Sequence, residues 1–195
     1  MYVKAERTGA RSSFMSARIV QAGKVVTLAT GIFGAARSTD LDLKTVRALE
    51  FPPPEDVPVL PPDLPQLPVF AREHLEYRFG YGAPPLSGAS KAEFGAYLRL
   101  REPGPLDAAT CVLLLDALPP AQSALTTEVR TFASVSIATT IQAELPPRDW
   151  PEDTPWRLVV RTETAREGYA HEVNELCTPA GQVVARSDQV LALVD

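Results

Sequence analysis

The side chain that most demands an explanation in this sequence is an amide. Gln189 lies in the segment RSDQVL and shares a strand face with Val183, Ala185, Leu191 and Leu193. A lone amide on an apolar face must find a hydrogen-bond partner, either in nearby backbone or in a site. Thr162 and Thr164 have a similar character. They continue the face of Leu158 and Val160, so alternation aims both inward, although β-branched Thr is also common strand filler. Ser136, in SVSI, falls on the even positions of its strand, opposite the apolar residues. Asp116 lies inside a helical pattern near its apolar stripe, where a carboxylate can be tuned for proton transfer or for holding substrate. The alternative for Asp116 is an ordinary solvated helix residue. Asp188 adjoins Gln189 but points to the opposite face, and His74 and His171 read as surface residues. The sequence displays no Ser/His/Asp arrangement, no Gly-rich phosphate loop and no metal-ligand spacing.

These residues must be positioned by a helix and several strands. The helix lies within Pro105–Ala121, PLDAATCVLLLDALPPA. Cys111, Leu114, Leu115 and Leu118 recur at helical spacing, and Val112 widens the stripe. Asp107 is placed as the N-cap, and Pro119–Pro120 stops the helix. After it the pattern turns to β. Val129, Ala133, Val135, Ile137, Ile141 and Ala143 predict one apolar face by period two. Trp156–Arg166, Tyr169–Thr178 and Gln182–Val194 follow as strands, the last two joined at Pro179-Ala180-Gly181. Ahead of the helix, Phe94–Glu102 alternates as a strand, and another is expected near Glu76–Tyr81. The chain opens with Tyr2–Thr8 and a hairpin of Ser12–Gln21 and Lys24–Phe33 around Ala22-Gly23. Arg37–Leu49 is read as a short amphipathic helix. The fold class is α+β, with an antiparallel sheet wrapped around one central helix.

Composition limits what such a chain can do. Its 195 residues suffice for one large or two small domains. A net charge of −5, with no local basic cluster, argues against nucleic acid as a partner. No apolar run approaches the roughly 20 residues a membrane span requires, and the first residues lack the pattern of a signal peptide. Cys111 and Cys177 sit in apolar contexts and read as buried thiols of a reducing compartment, with a disulfide as the alternative. A cytoplasmic location is therefore expected. Of the 19 prolines, eight fall between positions 52 and 68, which marks an extended connector packed along a surface. The expected organisation is strands over 1–35, connector over 36–69 and a complete unit over 70–195.

The two hairpins share a string, Ala22-Gly23-Lys24-Val25-Val26 against Ala180-Gly181-Gln182-Val183-Val184, and each closes one half of the chain. This suggests an internal repeat whose first copy lacks a helix.

The strings PLDAATCVLLLDALPPA, FASVSIATTIQAEL and WRLVVRTETAREGYAHEVNELCTPAGQVVARSDQVLAL resemble the C-terminal unit of the acyl-CoA thioesterase II-like, double hotdog family. Residues 1–33 resemble the tail of that family's first hotdog unit. The resemblance implies a hotdog fold, complete at the C-terminal end and partial at the N-terminal end. It also implies hydrolysis of fatty acyl-CoA to free fatty acid and CoA where hotdog units meet, without metal or cofactor. In that family an Asp, a Thr or Ser and a Gln orient and activate the attacking water. Carried over, the Gln is Gln189, the Thr is Thr164 or Thr162, and the Asp position is occupied by Ser136. Serine is no base at neutral pH, so a non-catalytic acyl-CoA or lipid-binding module is the competing reading. For the catalytic reading Asp116 is the candidate substitute carboxylate. Arg148, Arg157, Arg161 and Arg166 are candidates for the CoA phosphates. A structural partner with no reaction of its own is a third reading. Hotdog units normally pair, so a dimer through sheet edges is expected.

Overall fold

The computed structural model describes residues 1–61, 69–147 and 150–194. Part of the proline-rich connector, including Pro62, Leu64, Pro65, Leu67 and Pro68, lies outside the described residues, as does Arg148. The chain divides into two compact units, Met1–Leu43 and Lys44–Asp195.

The first unit is an antiparallel sheet of β1 (Tyr2–Thr8), β2 (Ser12–Gln21) and β3 (Lys24–Gly34), in that order. Ala22 and Gly23 both take positive φ, 49° and 75°, as the tightest hairpin turn demands. Tyr2, Val3, Leu28, Ile32 and Phe33 are exposed.

The second unit is a six-stranded antiparallel sheet packed against a helix. Its strands are β4 (Leu75–Gly82), β5 (Glu93–Leu100), β6 (Phe132–Ile141), β7 (Trp156–Arg166), β8 (Tyr169–Cys177) and β9 (Val183–Leu193). They are ordered β4-β5-β7-β8-β9-β6. A short helix α1 (Val69–His74) runs straight into β4, and α2 (Ala108–Leu115) packs against β6, β8 and β9. The core joins Cys111, Leu114, Leu115 and Leu118 to Phe94, Ala96, Leu98, Leu158, Val160, Leu176 and Ala185 from the strands. Val112 is 44% exposed and does not widen the buried stripe.

The helix is shorter than its hydrophobic pattern. Asp107 caps it, its side chain accepting the Thr110 N–H at 2.8 Å, as expected. It ends at Asp116, before the prolines. Pro119 and Pro120 have no N–H to offer the Leu115 and Asp116 carbonyls, so the helix cannot continue through them. Asn174 donates to the Leu115 carbonyl at 3.1 Å and Tyr77 donates its hydroxyl to the Ala117 carbonyl at 2.9 Å. Side chains of the sheet thus satisfy carbonyls left open at this end of the helix.

Two bulges change which residues face the helix. In β6 the pairing with β9 slips between Ser134 and Ser136. Phe132 and Ser134 face inward before the slip, and Ile137, Thr139 and Ile141 after it. The period-two face predicted through Val129, Ala133 and Val135 therefore does not exist; Val135 is 58% exposed. In β7 the pairing with β8 slips between Thr162 and Thr164. One extra residue reverses every later side chain, because the strand period is two.

Residues 44–50 are not the predicted amphipathic helix. Val46 bridges Gln182, Arg47 N–H donates to the Gly181 carbonyl at 2.8 Å, and Val183 N–H donates to the Thr45 carbonyl at 2.9 Å. The Arg47 guanidinium also makes a two-bonded pair with Glu175. Pairing with the β8–β9 turn gives this backbone partners that a short, isolated helix would not supply. That turn also differs from the first hairpin despite the shared Ala-Gly string. Cys177 pairs with Val183 across a longer loop, in which Gly181 has positive φ and Ala180 does not. The sequence match between the hairpins is not a match of turn geometry.

Candidate active site

The site is built where the end of α2 meets β6, β8 and β9. Gln189 sits on the inner face of β9, 2% exposed. Its Nε2 donates to Asp116 Oδ1 at 2.9 Å and to Ser134 Oγ at 2.6 Å. Its Oε1 accepts from Asn174 Nδ2 at 3.2 Å. The carboxylate partner fixes which end of the amide is which, since an ionised Asp can only accept. Ser134 accepts from Gln189, so its own hydroxyl hydrogen stays free to donate.

Each residue reaches this point for a local reason. Asp116 is the residue at which α2 leaves helical geometry, with φ −109° and ψ 15°. A carboxylate at a helix C-terminus is electrostatically misplaced, the kind of local conflict found where function overrides stability. Ser134 is turned inward because it precedes the β6 bulge. Asn174 is placed by the alternation of β8, two residues beyond Glu172 on the same face.

Glu172 is a second carboxylate in this region. It lies directly across from Gln189 in the β8–β9 pairing and is 2% exposed. Its Oε2 accepts the Ala121 N–H at 2.5 Å and lies 3.5 Å from Thr162 Oγ1. Thr162 gives its hydroxyl hydrogen to Gln122 Oε1 at 2.6 Å, the shorter contact. Burial pushes the Glu172 carboxyl up to about 7. The Ala121 N–H that it accepts pulls it down, and the nearby Asp116 adds to the rise. Asp116, Ser134, Glu172 and Gln189 line one cleft of about 480 Å³, walled by Phe70, Leu118, Phe132 and Leu191 and with Arg130 at its edge.

The expected residues divide accordingly. Gln189, Asp116 and Thr162 face this region. Ser136 does not: it pairs with Val190, on the outer face, because the β6 bulge precedes it. Thr164 does not either, since the β7 bulge pairs it with His171 on the outer face. The β6 hydroxyl that reaches Gln189 is Ser134, and no alternation rule singles it out without the bulge. Glu172 and Asn174 had a readable signal in YAHEVNEL, where two polar residues alternate onto the face of Ala170 and Leu176.

The arginines are dispersed. Arg157 stacks over Phe51 and Tyr97, with centroid distances of 5.0 and 5.6 Å, while Arg161 pairs with Glu163 and Arg166 with Glu167. His171 stands half-exposed, 3.5 Å from both Glu163 and Asp188 on the outer face. Cys111 and Cys177 are free and buried, which pushes both thiols up to about 12. Among the described residues no group of His, Cys, Asp and Glu is arranged to hold a metal ion, and no helix is long and apolar enough to cross a membrane.

No curated protein matches the chain. Solved structures do. A hotdog-fold protein from Alicyclobacillus acidocaldarius, described as of unknown function, superimposes with a TM-score of 0.84 at 22% identity, covering 99% of this chain and 72% of its own. The tesB protein of Mycobacterium avium subspecies paratuberculosis gives 0.73 at 16% identity, covering 99% and 70%. The acyl-CoA thioesterase II TesB2 of Mycobacterium marinum gives 0.69 at 20% identity, covering 98% and 72%. These likenesses establish the hotdog fold. The family model for the acyl-CoA thioesterase C-terminal domain matches residues 54–193, most of the chain and every strand of the second unit. The chain belongs to the acyl-CoA thioesterase C-terminal domain family.

Proposed function

We propose that this protein hydrolyses fatty acyl-CoA thioesters to free fatty acid and CoA by direct attack of water. The observation that supports this reading is the convergence of Asp116, Ser134 and Gln189: a carboxylate, a hydroxyl and an amide joined by hydrogen bonds at one cleft. Asp116 is the group able to take a proton from water, as a general base. Gln189 holds that carboxylate in place, and Asn174 and Ser134 hold Gln189. The free hydroxyl hydrogen of Ser134 serves to bind the water or the developing oxyanion. The reacting carbonyl carbon gains the water oxygen, the oxyanion forms, and collapse expels the CoA sulfur. Leu118, Phe132 and Leu191 give the cleft an apolar wall suited to an acyl chain.

The binding-module reading rested on Ser136, which has no basicity. Asp116 offers a carboxylate from a different element, which supports the catalytic reading over the binding module. A cytoplasmic setting is consistent with two buried free thiols. The edge strands of the sheet, β4 and β6, are the surfaces by which a dimer would form. The division at 36–69 into partial unit, connector and complete unit belongs to the same reading.

The test is thiol release from acyl-CoA esters of graded chain length by the full chain. Turnover that collapses in Asp116→Asn supports the proposal. Ligand-dependent stabilisation without turnover would replace it with the binding module.

A further inference from the structure

Glu172 is unexplained by the water-activating set. Its structural duty is to accept the Ala121 N–H, which a glutamine would do equally well at lower desolvation cost. The chain places an ionisable group there instead. No Lys or Arg among the described residues pairs with it. Of the charged groups on the elements packed around it, Asp116 at the end of α2 acts on it, and Arg130 ahead of β6 lines the same cleft. β7, β9 and the turn Ala121–Leu125 face it with neutral Thr162, Gln189 and Gln122. Asn174, its neighbour on the same strand face, is also neutral. Oε2 is occupied by the Ala121 N–H, so a proton carried on Oε1 does not compete with that bond. Two carboxylates thus flank Gln189: Asp116, bonded to its amide, and Glu172, opposite it across the strand pair.

Resting on the thioesterase reading, we propose that Glu172 is a further catalytic residue, the general acid that protonates the departing sulfur. Water loses one proton to Asp116 and bonds to the carbonyl carbon. As the tetrahedral intermediate collapses, the C–S bond breaks, its electron pair goes to sulfur, and the Glu172 proton follows it. The products are the acid and the free thiol. Asp116 then carries a proton and Glu172 lacks one, and transfer from the first to the second restores the starting state. This division matches a pair whose environments hold one member protonated near neutrality.

The experiment compares leaving groups. An acyl-CoA and the 4-nitrothiophenyl ester of the same acid are hydrolysed by the wild-type chain and by Glu172→Gln. The nitrothiophenolate is a far weaker base and departs without help. Glu172→Gln is expected to lose roughly 10²-fold in kcat on the CoA ester and to retain activity on the aryl ester. The wild-type protein supplies a second readout that needs no variant. Its kcat on the CoA ester is expected to fall as pH rises through the Glu172 transition, with no such limb on the aryl ester. Equal losses on both esters, or the same alkaline limb on both, overturn the general acid and leave the hydrolase intact. Wild-type protein that releases neither thiol overturns the hydrolase reading, and this inference with it.

Discussion

Gln189 and Asp116 are 73 residues apart in the chain and joined by a 2.9 Å hydrogen bond. The bond links the one amide on the inner face of β9 to the residue that ends α2. Removing either partner has a different expected cost. Asp116→Asn keeps the shape but abolishes the base, and kcat is expected to fall at least roughly 10²-fold with little change in melting temperature, since Asp116 is exposed. Gln189→Ala removes the two donors that hold Asp116 and Ser134, with a loss of roughly 10²–10³ in kcat. Initial rates of thiol release beside thermal melts separate the two effects.

The bulges separate residues that strict alternation would put on one face. Ser134→Ala is expected to lower kcat by about tenfold or more, through the lost hydroxyl donor. Ser136→Ala, on the outer face, is expected to leave the rate unchanged. Likewise Thr162→Val should perturb the Gln122 and Glu172 contacts, while Thr164→Val should not. Steady-state kinetics on the four variants decide it. Equal effects within either pair would mean that the bulge is misplaced.

Glu172 ties stability to pH. An unfolded glutamate gives up its proton near 4.5, whereas the buried one holds it to about 7. Between those values the folded chain binds more protons than the unfolded one, so stability falls as pH rises. The contribution is fully present below 4.5 and is lost as pH passes 7. Its size is roughly 3 kcal/mol. Glu172→Gln is expected to flatten this dependence. Denaturant midpoints of both proteins at about pH 5 and about pH 8 measure the difference.

Gly181 is held by the strap that crosses its turn. Its φ is +89°, and a Cβ there would lie 2.6 Å from the Arg47 carbonyl oxygen. Gly181→Ala is therefore expected to cost about 2 kcal/mol or more, from backbone strain and displacement of residues 45–47. Displacing Arg47 would leave Glu175, only 5% exposed, without its guanidinium partner. A lowered denaturant midpoint with an unchanged slope is the expected result.

Much of this was legible locally. The stripe of Cys111, Leu114 and Leu115, the Asp107 cap, and the alternation of β8 and β9 are periodic features that a chain carries in its own order of residues. Alternation was enough to put Gln189 on the inner face, because β9 keeps its register from Ala185 onward. The helix boundary was legible in part: α2 ends ahead of Pro119 and Pro120, and its last carbonyls are capped by Asn174 and Tyr77 from elsewhere in the fold.

By itself the sequence determined the α+β class, the order of strands along the chain and the amide that must be satisfied. Only the tertiary structure decided which carboxylate and which hydroxyl would satisfy it. A bulge is set by how two strands pair, and pairing is a relation between distant segments. One inserted residue in β6 put Ser134 and Ser136 on opposite faces, with Ser134 in the site, and one in β7 turned Thr164 out of it. Asp116 meets Gln189 where α2 stops one residue before it, and Asn174 of the sheet caps the Leu115 carbonyl there.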